Sequence, residues 1–445
     1  MPAVLIKNIQ IVTDGKITSG DVFMNEGRIE MIAPVINKNA SLEVDGTGKF
    51  LLPGIIDDQV HFREPGLTHK ATIYSESRAA AAGGVTSFME MPNTVPNALT
   101  QELLEDKYKI AERTSLVNYS FFMGVSNTNY DEVMRTPLNT VCGVKIFMGA
   151  STGNMLVDDP SILERIFAAS PKLIATHCEN EPMIRRNLAA MQERYGDDIP
   201  VEMHPVIRNE EVCYTSSAEA VMLAKRHNTR LHVLHISTAD ELELFSNALP
   251  LIEKRITAEV CVHHLYFDSG DYKTLGSKIK CNPAIKDAHH KPQLLQALLN
   301  NTLDVVATDH APHTMEEKAN KYGKAPAGLP LVQHGIHMML HFHSQGLISL
   351  ERIVEKMCHA PADLFRIKDR GYIREGYYAD AFILDLNEST TVSPQNIFYK
   401  CGWSPLEGKV LPGRVDTTFV NGNVVYAGGK FDESSNGMRL WFNEM

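Results

Sequence analysis

Residues 57–66 read DDQVHFREPG, directly after the apolar run LLPGII at 51–56. His61 closes what reads as a buried strand and offers an imidazole to a metal. Arg63, two residues on, offers a planar fork to an anion. His177 in HCEN, His235 in HIST and Asp309 in ATDHAPH bring the set to three imidazoles and a carboxylate. Neutral imidazoles with one carboxylate, and a position left for water, make a hydrolytic site for a divalent metal such as Zn2+. Asp309 can touch that metal and also accept a proton from its water. Its bland reading is a helix or turn cap. Lys145 lies in the mostly apolar string GVKIFMGAS, where burial favours the neutral amine. Two readings stay open for it: a carbamate formed with CO2 that bridges two metals, or an ordinary lysine paired with an acid. Gln59 stands where a His-x-His hook would begin, and its neutral carboxamide is a poor Zn2+ ligand.

The elements that would position these groups alternate along the middle of the chain. Apolar runs at about 51–57, 84–91, 117–125, 141–148, 172–177, 230–236, 256–262 and 303–308 read as strands. Helical patterns lie between most of them, among them TIYSESRAAAAGG, LTQELLEDKYKIAER and SSAEAVMLAKRHN. Eight strands with intervening helices predict an α/β fold, a TIM-like (β/α)8 barrel spanning 53–370. Catalytic groups of such barrels sit at the carboxyl ends of the strands. His61, Asn93, Lys145, His177, His235 and Asp309 all fall at or near those ends. One such residue says little, because a lone histidine is more often structural. Matching ends on several strands make chance a poor explanation.

Both ends of the chain differ from the middle. Residues 1–52 alternate polar and apolar residues, with turns at Asp14-Gly15, Glu26-Gly27 and Asp45-Gly46. Residues 371–445 repeat that character, with an Asn-Gly turn at 421–422. The expectation is a small β-sandwich module of antiparallel strands built from both termini. A formal charge of -11 and no basic run longer than a pair exclude a nucleic-acid partner. No apolar run approaches the roughly 20 residues of a membrane helix, and the first ten residues do not read as a signal peptide. Seven scattered cysteines without a Cys-x-x-Cys pair suggest reduced thiols in the cytoplasm. His263-His264, His289-His290 and the run HGIHMMLHFH at 334–343 tempt a further metal site. The spacing in that run cannot put all its histidines on one helix face, so it reads as packing. Loop motion is not legible in the sequence, though the polar stretch 313–327 after the eighth strand could act as a lid.

The strings PGIIDDQVHFREPG, AAAAGGVTSFMEMPNT, GVKIFMGAS, HCEN, HIST, CNPAIK and ATDHAPH, in this order, resemble the amidohydrolase superfamily. Within it they look most like the dihydroorotases of the longer bacterial type, over nearly the whole chain. The resemblance implies reversible ring closure of N-carbamoyl-L-aspartate to (S)-dihydroorotate in pyrimidine biosynthesis. Metal-bound hydroxide would be the nucleophile and Asp309 the proton shuttle. It implies one or two Zn2+ per subunit on His61, Lys145, His177, His235 and Asp309. It places substrate against His61, Arg63, Asn93, Asn282, His313 and the backbone of Ala327-Gly328. For Asn282 the alternative is a turn before Pro283. Many long-type dihydroorotases carry an Asp as bridging ligand, but GVKIFMGAS looks more like the members with a carboxylated lysine, which puts N6-carboxylysine at Lys145. Allantoinases and hydantoinases are the nearest other readings, and Arg63 with Asn93 favours a carboxylated substrate instead.

Gln59 departs from the family's His. It leaves three readings: a two-metal site with one weak position, a single metal on His177 and His235, or a chain that has lost catalysis. The last would be a scaffold like the non-catalytic dihydroorotase-like partners of aspartate carbamoyltransferase. A homo-oligomer is a further expectation from the resemblance.

Overall fold

The computed structural model describes residues 3–149, 155–170 and 172–443. Eight parallel strands follow one another around a barrel. They are Ile55–Val60, Val85–Glu90, Asn118–Phe121 (continued by Met123–Gly124), Val144–Phe147, Ile174–His177, Leu231–Val233, Ile256–Cys261 and Val305–Ala307. Each pairs in parallel with the next. The ring closes where Val60 bridges His310 and the His61 N–H donates to the His310 carbonyl at 2.7 Å. Seven of these strands lie within the apolar runs; the run 51–57 is instead split, its start belonging to the terminal-sheet strand Phe50–Pro53 and its end opening Ile55–Val60, which continues past it. Helices cover the outer face, so both faces of these strands are buried and their sequences run apolar instead of alternating.

The helices begin where capping chemistry permits. Thr72, Thr100, Asn180 and Asn209 each accept a backbone N–H through the side chain, starting Ile73–Ala82, Gln101–Thr114, Glu181–Tyr195 and Glu210–His227. The helix Gly335–Ser344 packs as expected: His334 Nδ1 meets the Tyr399 hydroxyl at 2.8 Å, and His337 is buried against the Pro412 carbonyl.

Both termini enter one sheet of nine strands. Val4–Thr13 pairs antiparallel with Lys16–Asn25, but parallel with Leu42–Asp45 and Phe50–Pro53. The sheet is therefore mixed where alternation alone suggested antiparallel pairing. After Arg28–Ala33 the chain crosses back through residues 34–41 and runs beside its first strand in the same direction. Phe50–Pro53 then takes Ala381–Thr391 on its other side, which joins the two ends of the chain. Ile6, Ile9 and Met24 from one end share a core with Ile383 and Phe419 from the other. Asp14-Gly15 and Asn421-Gly422 have positive φ at both positions, as tight hairpins require.

The stretch 313–327, a candidate lid, is pinned in this structure. Lys318 is buried and donates to the carbonyls of Lys280, Pro326 and Gly328. Lys280 in turn donates to those of Tyr322 and Ala325. Two ammonium groups thus tie the polar loop down from beneath, a role its composition did not disclose.

Candidate active site

The carboxyl ends of the barrel strands open into a cavity of about 240 Å³. It is lined by His61, Arg63, Asn93, Lys145, His177, His235, Asn282, Asp309, His313, Ala327 and Gly328, with Gln59 among them. A cavity of about 330 Å³ adjoins it through Asn282 and Ala327, but it lacks the imidazole and carboxylate set. Arg63, His235 and Asp309 have φ of 68°, 42° and 43°. Non-glycine residues rarely adopt this left-handed backbone, and here it turns three strand-end residues sharply at the barrel mouth.

His61 shows that the donor set suits a cation. Its Nδ1 meets Asn93 Oδ1 at 2.8 Å, and its Nε2 meets Asp309 Oδ1 at 3.1 Å. Both partners are acceptors, whereas a neutral imidazole has one N–H to give. Burial holds the His61 pKa down despite Asp309, which disfavours the doubly protonated ring. A metal taking the Nε2 lone pair and the Asp309 carboxylate would resolve the conflict. Burial works to raise the Asp309 pKa, but the opposing pull of His61, where Nε2 carries a proton, leaves it below the usual carboxylate value.

On the other side of the mouth, His177 Nδ1 lies 2.9 Å from His235 Nε2. His177 Nε2 donates to Glu179 at 2.9 Å, which leaves Nδ1 as a lone pair aimed at His235. Burial lowers both imidazole pKa values, so both rings are neutral. Two nitrogens on one tetrahedral Zn2+ stand about 3.4 Å apart, so the pair needs only a small separation to share a metal. Glu179 is a residue the sequence reading passed over. Burial opposes its charge, yet Arg208 and His177 hold its pKa down to about 2. It lies in the HCEN string, but its partner Arg208 is 29 residues away, and nothing local marks the pair.

Lys145 is buried, and its Nζ has no hydrogen-bond partner among the described residues. The acid-paired alternative is thereby set aside. Burial lowers its pKa to about 7, and its ammonium position lies 4.7 Å from the centre of the Phe147 ring. An amine that is half neutral near neutral pH and free of partners fits the carbamate reading. Ala150 and Ser151 of the GVKIFMGAS string lie outside the described residues.

The anion side of the cavity is cationic. Arg63 is buried and forms no ion pair among the described residues; its Nε donates to the Pro312 carbonyl at 3.1 Å. Its NH2 lies 3.0 Å from His313 Nε2. Lys70 donates to His313 Nδ1 at 3.0 Å, so Nε2 carries the ring proton and donates to the Ala327 carbonyl at 3.0 Å, which leaves the Arg63 NH2, itself only a donor, beside that ring without a hydrogen bond to it. Asn282 Oδ1 is buried without a partner among the described residues, which a simple turn before Pro283 does not explain. The backbone of Ala327-Gly328 is less available than expected. The Gly328 N–H already donates to Lys280 O at 2.8 Å, and the Gly328 carbonyl accepts from Lys318. Gly328 needs its φ of 141° and its missing side chain, because a Cβ would sit 2.3 Å from the Ala311 carbonyl.

Gln59 is buried at the cavity wall, with Oε1 at 3.8 Å from Cys261 Sγ. Among the described residues, two buried groups of ligand-type side chains lie close by in the barrel: Asp58, His232 and Glu259, and Cys261, His263 and His264.

The sequence profile of the Amidohydrolase family matches residues 50–425. The chain is 31% identical over 433 residues to the dihydroorotase of Methanothermobacter thermautotrophicus, covering 95% of this chain and 92% of that one. It is also 31% identical over 433 residues to the dihydroorotase of Listeria welshimeri, with 96% and 99% covered. The solved structure of L-hydantoinase (dihydropyrimidinase) from Arthrobacter aurescens superposes with a TM-score of 0.93 at 28% identity, over 100% of both chains.

Proposed function

The chain belongs to the amidohydrolase family, and from that premise we propose that it is a metal-dependent cyclic amidase, specifically a dihydroorotase. It would interconvert N-carbamoyl-L-aspartate and (S)-dihydroorotate, a step in making pyrimidines. The observation that carries this reading is Arg63, a buried guanidinium with no carboxylate partner among the described residues, facing the same small cavity as the metal-ligand set. Burying a charge without a partner is costly, so the site is built for an anion that arrives with the substrate. A dihydroorotate ring carries such a carboxylate, whereas a hydantoin or dihydropyrimidine ring does not. The cavity volume of about 240 Å³ suits one small ring.

His177 and His235 would hold one metal, His61 and Asp309 a second, and a carbamate on Lys145 would join them. Bound there, a divalent metal supplies Lewis acidity and lowers the pKa of water. Arg63 and Asn93 bind the carboxylate and fix the ring, and the orphaned Asn282 Oδ1 accepts a ring N–H. An Asp309 carboxylate oxygen takes a proton in the hydrolytic direction and delivers it to the leaving ring nitrogen; the reverse path returns it. The seven unpaired cysteines fit a reducing cytoplasm as the place of action.

The test is metal analysis of the purified protein beside hydrolysis assays on dihydroorotate, dihydrouracil, hydantoin and allantoin, with Zn2+ and bicarbonate supplied. Dihydroorotate is expected to be the preferred substrate. A preference for an uncharged ring, or no turnover on any of the four, would overturn the proposal.

A further inference from the structure

The histidine pair 263–264 is not used by the hydrolytic site. It follows Cys261 at the end of the seventh barrel strand, on the short helix Val262–Tyr266. All three residues are buried, with exposures of 0%, 1% and 4%. One ligand atom from each lies within 4.8 Å of the other two. His264 Nε2 donates to the Pro283 carbonyl at 3.1 Å, which fixes the tautomer and leaves Nδ1 as a lone pair with no partner among the described residues. That is how a ligating imidazole is usually oriented. Among the described residues His263 makes no well-formed hydrogen bond through either nitrogen, although the Thr308 carbonyl lies near. Unmet imidazole nitrogens beside a buried thiol call for an explanation, and a bound cation supplies one.

We propose that Cys261, His263 and His264 form a metal site of their own, distinct from the His61, His177, His235 and Asp309 set, that takes a thiolate-seeking cation of the Zn2+ class. One sulfur and two nitrogens match the borderline softness of that ion. Ligand atoms around a tetrahedral Zn2+ stand about 3.4–3.7 Å apart, so the three ligand atoms, within 4.8 Å of one another, would draw together by about an ångström at most to hold the ion. Binding exchanges the Cys261 S–H bond for a sulfur–metal bond and releases one proton to solvent. The Cys261 thiol donates to Glu259 Oε1 at 3.3 Å, a bond that metal binding would replace, and Gln59 Oε1, at 3.8 Å from the sulfur, borders the site and links it to the hydrolytic cavity. Gln59 would then be a neutral spacer between two cations, where a second imidazole would compete for the metal.

Co2+ is the probe, added to the metal-stripped full-length protein. The hydrolytic set contains no thiolate, so a sulfur-to-Co2+ charge-transfer band in the near ultraviolet reports Cys261. The band is expected in the wild type, absent in Cys261→Ser, and weakened or shifted in His264→Asn. It should survive in Cys178→Ser, which removes the thiol next to His177. Cys261→Ser should also bind one metal equivalent fewer by elemental analysis. No band in the wild type, a band that survives Cys261→Ser, or one lost in Cys178→Ser would overturn the proposal. The wild-type spectrum needs no variant to fold. The readout is metal and not turnover, so a negative result leaves the hydrolase reading standing.

Discussion

At position 59 a carboxamide stands beside three imidazoles and a carboxylate that converge on one cavity. Gln59→His would add a ligand that Zn2+ strongly prefers. It is expected to strengthen metal retention on the order of 10–100-fold, a range already reached by changes to groups that only orient the ligands. A chelator competition measures it, and unchanged retention would mean that position 59 does not face the metal. Arg63→Met tests the other wall. Removing the cation that meets a buried carboxylate costs about 3 kcal/mol, or on the order of 100-fold in kcat/KM for dihydroorotate. The activity on dihydrouracil, if any is measurable, should change little; an equal loss on both rings would point to a structural role. His61, Arg63, Asn93, His177, His235 and Asp309 were legible because each ends or follows a strand in a distinctive string, and Lys145 because its charge interrupts the apolar strand Val144–Phe147. Glu179 was not, since its meaning depends on Arg208, nor was the contact between Gln59 and Cys261, 202 residues apart. Such pairings are created by barrel closure and leave no local signal.

The strands themselves were legible for a plain reason: buried on both faces, they must be short apolar runs. Their closure through Val60 and His310, the parallel pairing within the terminal sheet and the pinning of 313–327 depend on tertiary contacts, which no periodicity encodes. The same holds for the trio Asp58, His232 and Glu259, which ties strands one, six and seven together inside the barrel. Thr257 donates its hydroxyl proton to the Leu231 carbonyl, so it must accept from His232 Nδ1 at 2.9 Å. His232 Nε2 faces Asp58 at 3.2 Å and Glu259 at 3.8 Å. Burial opposes the charge on His232, but the two carboxylates prevail and push its pKa up to about 9. Glu259 also accepts from the His235 N–H at 3.1 Å, so the trio braces a residue of the site. A histidine whose pKa is raised by folding stabilises fully below its unfolded value of roughly 6.5, and that contribution is lost as the pH rises through about 9. His232→Asn should therefore cost about 3 kcal/mol at pH 6.5. The deficit against wild type should shrink towards pH 9.5. Urea midpoints of both proteins across that range test this, and a deficit independent of pH would mean that His232 is neutral.

For the molecule as a whole, the terminal sheet and the barrel share so many contacts that neither should be stable alone. Phe382 fills the space left by Gly84, whose Cβ would sit 2.9 Å from that ring. The Thr418 hydroxyl donates to the Ala81 carbonyl at 2.7 Å. Asn118 donates to Asp380 at 3.2 Å and accepts from Asn421 at 2.8 Å, while Arg370 pairs with Asp380 behind them. All of this is buried, so removing residues 371–445 would leave Asn118 and the apolar face around Gly84 exposed or unmatched. The C-terminal segment also reaches the cavity, where the Trp403 indole N–H donates to the His313 carbonyl at 2.8 Å. Calorimetry of the full chain is expected to show one cooperative transition, and residues 53–370 expressed alone should fail to give one. Trp403→Phe keeps the packing and deletes one hydrogen bond, worth about 1 kcal/mol. Because that bond holds His313 against the carboxylate side of the cavity, the loss should fall on KM for dihydroorotate, by roughly 5-fold, with kcat nearly unchanged. A sharp transition from residues 53–370, or a Trp403→Phe enzyme with unaltered KM, would show that the terminal sheet is an appendage and not part of the wall that receives the substrate.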